Sequence, residues 1–461
     1  MLIRAAEVSG ERRDLRVAGG HIAELAERLT PRAGEEVIEA GGGALLPGLH
    51  DHHLHLFALA VAQRSVRCGP PQVADRAGLA AALCAGESHA GWLRGVGYHE
   101  SVAGALDRRL LDGFDLEHPV RIQHRSGAQW GLNSRGIAAL GLDAGVDAPG
   151  VERDAAGAAT GRLFGLDAWL RERLPQTGRP DLTQTGRRLA ACGVTGVTDA
   201  SVGNGPDELR AFSDALMRGE LRQRLVLMGS AALPEPEAGT RLSRGAVKLV
   251  LNESRLPELE ELIASIAEAH AGGRGVAIHC VTRVELVLAT VAFGAAGGRD
   301  GDRIEHAAVA PDDLMPRLAA LPLSVVTQPN FVAERGDAYR VDVEPRDRPW
   351  LYRCRGFLTA GVPVGAGTDA PFGDPDPWRA MRAAVERRTA NGAEFGASEA
   401  LTPEQALSLF TTRPDAPGAA PRRVAVGAVA DLCLLDTPWS EARLDLSARH
   451  VCAAWCNGAP L

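Results

Sequence analysis

The sequence predicts an α/β fold in which a (β/α)8 TIM barrel is flanked by a small β-structure built from both termini. Three observations lead to this prediction. Eight short apolar runs alternate with helical patterns, β-like segments with glycine at their turns occupy both ends of the chain, and a long segment separates the first apolar run from the second.

Both ends of the chain are rich in short β-like segments. Near the N-terminus these are LIRAAEV, DLRVAGGHIAEL and EEVIEAGG, with Gly10, Gly19 and Gly20 at the turns. Near the C-terminus they are AVGAVADLCLLD and HVCAAWCNG. We therefore predict that residues 1–44 and 415–461 form one β-structure beside a barrel at residues 45–414.

The apolar runs have the length of strands that are buried on both faces of a parallel sheet. In chain order they are ALLPGLHDHHLH, GVTGVTDA, RLVLMG, GAVKLVLN, GVAIHC, RIEHAA, LSVVTQP and PVGAGTDA. Helical patterns such as PDELRAFSDALMRGE and LPELEELIASIAEAH lie between them. A capping-box pattern at Thr402 and Gln405, with Pro403 at the first helical position, predicts a further helix after the barrel strands.

The gap between the first and second apolar runs breaks this rhythm. We predict an inserted subdomain at about residues 62–185, because the segment contains patterned stretches such as RLLDGFDLEHPVRIQH. Insertions after a barrel strand lie at the catalytic mouth, so this subdomain is expected to shape the substrate pocket.

Composition excludes several classes of partner. The chain has 50 Lys and Arg against 58 Asp and Glu, a net charge of −8, and no long basic run, so nucleic acid is not an expected partner. No apolar segment reaches the roughly 18 residues of a membrane span, and the start lacks the apolar core of a signal peptide. Eight cysteines without a CxxC pair fit reduced thiols. We expect a cytoplasmic protein with a small-molecule substrate.

Polar residues cluster at the carboxyl ends of the predicted strands, where barrel active sites form. In chain order these residues are His53, His55, Lys248, His279, His306 and Asp369. Strand residues two apart share a face, so His53 and His55 can converge on one ion. His50 and His52 lie on the opposite face, where we predict packing or hydrogen-bonding roles.

Each of these residues has a simpler interpretation when it is taken alone. A single His-x-His pair arises by chance, a lone lysine forms a salt bridge, a buried histidine is a satisfied core residue, and an aspartate after a strand caps a helix. Five strand ends that supply such groups in the expected order favour a metal site, because imidazoles and hard oxygen donors are the ligands of Zn²⁺ and similar ions.

The motifs also follow one another in the order of a known family. PGLHDHHLH is similar to the signature P-G-x-x-D-x-H-x-H, and WLRGVGYHE is similar to a G-x-G-Y segment of the insert. AVKLVLNES, AIHC, RIEHA, TQPNF, GTDAPFGDP and GAVADLCLLD then follow in order. This set resembles the amidohydrolase superfamily, in particular the family-3 branch that includes N-substituted formamide deformylases.

The resemblance implies a barrel with a composite β-sandwich from both termini, and a homodimer. It also implies that His53 and His55 bind one metal and that His279 and His306 bind a second. Lys248, carboxylated by CO2, would bridge them, and Asp369 would touch a metal and handle the proton. The implied cofactor is two Zn²⁺, for which Mn²⁺ or Fe²⁺ can substitute.

The function that follows from the resemblance is hydrolysis of a C–N bond in an amide, formamide or N-acyl compound by a metal-activated water. A mononuclear aminohydrolase that acts on a heterocycle or an amidine is the main alternative, since it would not need a bridging Lys248. A non-catalytic scaffold is the third possibility, but the chain keeps the full set of ligands.

Departures from the family motifs indicate where substrate contacts differ. The insert reads SGAQWGLNS, with Ala128 where many relatives have histidine, and the chain continues after His279 as Cys280, Val281, Thr282 and Arg283 instead of A-I-G-D. Arg283 has the chemistry to recognise a carboxylate. The candidate substrate-binding residues are Arg283, His99, His124, Gln129 and Trp130.

Overall fold

The first 54 residues of the computed structural model form six strands that belong to three different sheets. They are β1 (Leu2–Val8), β2 (Glu11–Ala18), β3 (His21–Ala26), β4 (Val37–Glu39), β5 (Leu45–Pro47) and β6 (Leu49–Leu54). Strands β1 to β4 form one sheet, β5 joins strands from the C-terminus, and β6 is the first barrel strand. The structure describes residues 1–461 except 145, 147, 176 and 177.

Residues 57–180 fold into a unit of their own. The helix α1 (Leu56–Gln63) begins one residue before this unit. The elements that follow it are β7 (Val66–Arg67), α2 (Arg76–Cys84), β8 (Ser88–His89), β9 (Trp92–Tyr98), α3 (Glu100–Ala103), α4 (Arg108–Asp112), β10 (Val120–His124), β11 (Gln129–Leu132), α5 (Ser134–Ala139), β12 (Val151–Arg153), β13 (Ala159–Phe164) and α6 (Asp167–Arg173). Their sheet has the order β12-β13-β11-β10-β9-β7, with β8 paired to β9.

The other unit comprises residues 1–56 and 181–461. After the insert its elements are α7 (Thr183–Ala191), β14 (Val194–Asp199), α8 (Pro206–Met217), β15 (Arg224–Gly229), β16 (Leu242–Val250), α9 (Leu259–Ala271), β17 (Val276–Cys280), α10 (Arg283–Ala296), β18 (Asp302–His306), α11 (Met315–Ala319), β19 (Leu323–Thr327), α12 (Asn330–Asp342), α13 (Arg355–Ala360), β20 (Val364–Ala366), α14 (Pro377–Glu386), α15 (Pro403–Thr411), β21 (Leu432–Leu435), α16 (Trp439–Ala442), β22 (Val451–Cys456) and β23 (Ala459–Pro460).

The barrel strands are all parallel and follow the order β6-β14-β15-β16-β17-β18-β19-β20. Just past β20, two backbone hydrogen bonds of 2.8 Å join the last strand to the first, from Asp369 N to His53 O and from His55 N to Ala370 O. Strands β14, β18 and β19 are buried along their whole length. This confirms the (β/α)8 barrel that the apolar runs predict.

The two ends of the chain share one hydrophobic core. The C-terminal sheet has the order β23-β22-β21-β5, and residues of both terminal sheets, including Ile3, Leu15, Leu432 and Trp455, belong to the same buried cluster. Burial of this apolar surface is what favours the pairing of the ends, since each small sheet alone would leave one apolar face in water.

Two predicted boundaries differ from the structure. The first apolar run was expected to be one barrel strand from residue 45, but residues 45–47 form β5 and pair with β21, and the barrel strand begins at Leu49. At Gly48 between them a Cβ atom would lie 2.1 Å from Thr195 Cγ2, so only glycine permits this passage. The compact unit that contains the insert covers residues 57–180, compared with the predicted bounds of about 62–185.

The predicted capping box is present at the start of α15. Thr402 Oγ1 accepts from Gln405 N at 3.2 Å, and Gln405 Oε1 accepts from Thr402 N at 3.0 Å. In the described part of the chain, no helix combines the length and the apolarity that a membrane crossing requires.

Candidate metal centre

The six predicted ligands lie at the carboxyl ends of five barrel strands. β6 carries His53 with His55 directly after it, and β17 and β18 carry His279 and His306. Lys248 lies near the end of β16, and Asp369 follows β20. Because the strands are parallel, their carboxyl ends meet at one mouth of the barrel.

The side chains of three predicted ligands converge most closely. Ligand atoms of His53, His306 and Asp369 all lie within 4.8 Å of one another. Asp369 Oδ1 is 3.6 Å from His53 Nε2 and 3.3 Å from His55 Nε2. The rings of His279 and His306 have centroids 4.4 Å apart, and those of His53 and His306 are 4.7 Å apart. The His306 ring is therefore close to both His279 and His53.

Burial favours the neutral form of His53, His279 and His306, which is the form that binds metal ions. Burial, followed by the charge of Lys248, lowers the pKa of His53 and brings the pKa of His279 to about 3. Burial and the neighbouring His279 and His53 also lower the pKa of His306. The donor set of neutral imidazoles with one carboxylate thus fits a divalent ion.

Lys248 is the only lysine in the chain. The other long basic side chains are all arginines. It is 4% exposed, and its Nζ has no hydrogen-bond partner among the described residues. Burial lowers the pKa of its amine to about 8. A buried amine without a partner is costly, so this side chain fits a centre in which its nitrogen is modified or meets an ion. The lone lysine is a sequence signal that the motif comparison did not use.

The remaining histidines of the opening run point away from the centre. His50 Nε2 bonds to Thr198 Oγ1 and His52 Nε2 bonds to Thr412 Oγ1, each at 2.9 Å. Both imidazoles are buried. They have the hydrogen-bonding roles that the alternation of the strand predicts.

The carboxylate of Asp51, two residues before His53, is hydrogen-bonded to the protein. Its carboxylate accepts from His53 N at 3.0 Å, from Thr368 N at 3.1 Å and from Thr368 Oγ1 at 2.5 Å. It therefore links the first barrel strand to the segment after the last one.

Two neighbours of the centre were missed by the sequence analysis. Glu305, which is fully buried, accepts a short hydrogen bond from His53 Nδ1 and a 2.6 Å bond from Arg303 Nε. Gln328 Oε1 lies 2.6 Å from His306 Nδ1. The sequence could have indicated Glu305, because it lies in a buried strand, where a charged side chain needs a partner.

Backbone strain is also concentrated at this mouth. His306 and Asp369 have φ values of 70° and 55°, in the left-handed region that non-glycine residues seldom adopt. Strain of this kind persists where the surrounding structure requires a particular side-chain direction.

The predicted substrate-binding residues fall in two different places. Arg283 is exposed at the start of α10, four residues after His279, in the unit that holds the centre. The other four belong to the unit of residues 57–180. Trp130 is 4% exposed in a hydrophobic core of that unit, and its Nε1 donates to Asp167 at 3.0 Å. Gln129 opens β11 and is partly exposed.

His99 and His124 lie side by side within that unit, with ring centroids 6.0 Å apart. Each Nδ1 accepts a backbone N–H two residues later, from Ser101 at 3.2 Å and from Ser126 at 3.1 Å. The proton of each neutral ring is therefore on Nε2. His124 Nε2 donates to Glu100 at 3.1 Å. Contact of His99 and His124 with substrate stays a prediction.

Comparison with known proteins adds to this geometry. The model of the amidohydrolase family matches residues 36–460. N-substituted formamide deformylase from Arthrobacter pascens is 26% identical over an alignment covering 91% of this chain and 89% of that protein.

Solved structures share the fold. An uncharacterized metal-dependent hydrolase from Pyrococcus horikoshii OT3 has a TM-score of 0.76 at 21% identity, with 98% of this chain and 99% of that chain covered. N-isopropylammelide isopropylaminohydrolase from Burkholderia multivorans ATCC 17616 has a TM-score of 0.55 at 19% identity, with 100% and 97% covered.

Proposed function

The chain belongs to the amidohydrolase family, and from this premise we propose that it hydrolyses a C–N bond of an amide, formamide or N-acyl small molecule. The convergence of His53, His306 and Asp369 is the observation that carries the proposal. We expect two divalent ions, both Zn²⁺. They would be held by His53, His55, His279, His306, Asp369 and a carboxylated Lys248. Such ions lower the pKa of a water and polarise a carbonyl when they are bound.

We assign the proton transfers of the reaction to Asp369. It is 7% exposed, and although burial alone would raise its pKa, contacts with His55 and His53 hold the pKa below the ordinary range. An ionised carboxylate at this position accepts a proton from the attacking water and passes it to the leaving nitrogen.

Lys248 supports a centre with two ions. As an ammonium group its Nζ would repel cations at this position, because no carboxylate bonds to it. Attack of the neutral amine on CO2 forms an N–C bond and releases one proton. The carbamate that results offers two oxygens, which is the number that a bridge between two ions requires.

Apolar side chains lie next to the centre. A hydrophobic cluster contains Phe331, Tyr352 and the partly buried Val281, Tyr339 and Phe372. Val281 and Phe372 follow His279 and Asp369 closely in sequence, and the Phe372 ring meets the edge of His55 at 5.7 Å. We therefore propose a substrate with an apolar substituent near the scissile bond, and Arg283 as a contact for an anionic group.

The decisive experiment combines metal content with turnover. Protein purified without chelator and with bicarbonate present is analysed for metals and then assayed for amine release from a panel of formamides, amides and N-acyl compounds. Two ions per chain with amine release from this panel are expected. A protein that holds no ion, or that holds ions and cleaves none of these bonds, would contradict the proposal.

A mononuclear aminohydrolase is the second candidate. The three-residue group of His53, His306 and Asp369 favours it, because these ligand atoms can surround a single ion. One ion per chain, an unmodified Lys248 and ammonia or amine release from a heterocyclic or amidine substrate would support it.

A further inference from the structure

Three imidazoles of the metal centre use Nδ1 for a protein partner, which leaves Nε2 for an ion. His53 Nδ1 bonds to Glu305, His55 Nδ1 lies 2.9 Å from Ser201 Oγ, and His306 Nδ1 lies 2.6 Å from Gln328 Oε1. These partners differ in what they can accept and donate, and this difference separates His53 from the other two.

Only the carboxylate fixes a tautomer by its own chemistry. The Ser201 hydroxyl can donate to Nδ1 or accept from it, and the Gln328 amide can present nitrogen or oxygen after rotation. Glu305 in its ionised form can only accept. A neutral His53 beside this carboxylate therefore carries its proton on Nδ1, with the lone pair on Nε2.

Glu305 is itself held in one orientation. Arg303 Nε donates to Oε1 at 2.6 Å and Arg303 Nη2 donates to Oε2 at 3.1 Å, the two-bond pairing of guanidinium with carboxylate. The same Nη2 also donates to the backbone oxygen of His52 at 2.7 Å. Glu305 and Arg303 are 0% and 4% exposed. Two side chains of β18, Glu305 and Arg303, thus bond to β6 at His53 and His52.

We propose that Glu305, clamped by Arg303, is the positioning residue that presents His53 Nε2 to the metal centre and sets the affinity of the ion bound there. The inference rests on the proposed function, since it concerns the same centre. A carboxylate behind a ligating imidazole orients the ring and increases its basicity, and loss of such a partner weakens metal binding about tenfold to a hundredfold.

The chain offers a matched control on the same strand. His50 on β6 is also buried and also bonds through a ring nitrogen to a side chain, Thr198 Oγ1, but it points away from the centre. Thr198→Val removes that bond without touching the Glu305 pair.

The test uses the full chain and Zn²⁺ alone, without substrate. Glu305→Gln is combined with Arg303→Met, so that no unpaired buried charge remains and the fold is retained. Zn²⁺ dissociation constants are measured by competition with a chromophoric chelator for the wild type, this double variant and Thr198→Val, with thermal unfolding as the check of folding. The double variant is expected to bind Zn²⁺ about tenfold to a hundredfold more weakly, and Thr198→Val within about twofold of the wild type.

A second measurement needs no variant. Nitrogen NMR of ¹⁵N-histidine-labelled wild type, with His53→Asn to assign the signal, reports which ring nitrogen of His53 carries the proton in the metal-free protein. Protonation of Nδ1 supports the inference, and protonation of Nε2 overturns it. An unchanged dissociation constant in a folded double variant, or equal weakening by Thr198→Val, also overturns it. Failure of the wild type to bind Zn²⁺ would instead contradict the proposed function.

Discussion

The backbone N–H of Asp369 donates a 2.8 Å hydrogen bond to the carbonyl oxygen of His53. The side chains of the same two residues face each other at the barrel mouth, with Asp369 Oδ1 3.6 Å from His53 Nε2. One pairing between the last and the first barrel strand therefore closes the barrel and assembles the centre of the site.

The carboxylate of Asp369 is expected to carry the proton transfer. Asp369→Asn keeps the size of the side chain but removes its basicity, so the turnover number should fall about 10²- to 10⁴-fold. The measurement is amine release under saturating substrate, with metal content determined on the same samples. Unchanged turnover at unchanged metal content would contradict the proton role.

Lys248 is expected to supply the bridge between two ions. Lys248→Met keeps the length of the side chain but removes the amine, so metal content should fall from two ions per chain to one or none. Since Lys248 is the only lysine, ¹³C-bicarbonate should also give a single ε-carbamate carbon signal in the wild type. Two ions in the variant, or no carbamate signal in the metal-loaded wild type, would count against the bridge.

Thr368 is expected to stabilise the barrel closure. Thr368→Val leaves the buried Asp51 without its 2.5 Å hydroxyl partner, and the free energy of unfolding should fall by about 1–3 kcal/mol. Thr368→Ser keeps the hydroxyl and serves as the control. Chemical denaturation of both variants checks the prediction, which fails if they are equally stable.

Phe372 is expected to select apolar substituents. Its ring stands beside His55, and Phe372→Ala should raise KM more for amides with a bulky apolar group than for small amides. The expected change in discrimination is roughly 10- to 200-fold, the range for one methylene more or less in a hydrophobic pocket. An equal change in KM for both kinds of substrate would contradict this prediction, because the ring would then have no role in selecting the substituent.

Glu35 is expected to stabilise the N-terminal sheet in a pH-dependent way. Hydrogen bonds from the Arg16 side chain and the Arg32 backbone lower the pKa of Glu35 from 4.5 to about 2. Because the pKa is lowered in the folded state, the stabilisation is present above about pH 4.5 and is lost as the pH falls toward 2.

The corresponding variant is Glu35→Gln, and its neighbour Glu36→Gln is the control. The unfolding temperature of Glu35→Gln should lie below that of the wild type at pH 7, and the difference should shrink between about pH 4.5 and 2. A difference that does not vary with pH would show that the charge of Glu35 is not the cause.

The sequence predicted most of the barrel because its signals are local. The apolar run RLVLMG coincides with the observed strand Arg224–Gly229. The capping box at the start of α15 involves only Thr402 and Gln405, which are three residues apart in the sequence. The boundary at Gly48 was not predictable in this way, since it depends on Thr195, a residue from a distant strand. Alternation along β6 likewise separated His53 from His50 correctly, because it depends only on the strand period.

By itself the sequence determined the order of the strands, the family and the residue types that gather at the barrel mouth, because each follows from periodicity or from motifs a few residues long. Only the tertiary structure decided which ligands come closest, and it brought together His53, His306 and Asp369 from the first, sixth and eighth strands. It also decided that Glu305 and Arg303 form the clamp behind His53. Residues separated by hundreds of positions meet only when the strands close on one another, and no local pattern encodes that distance.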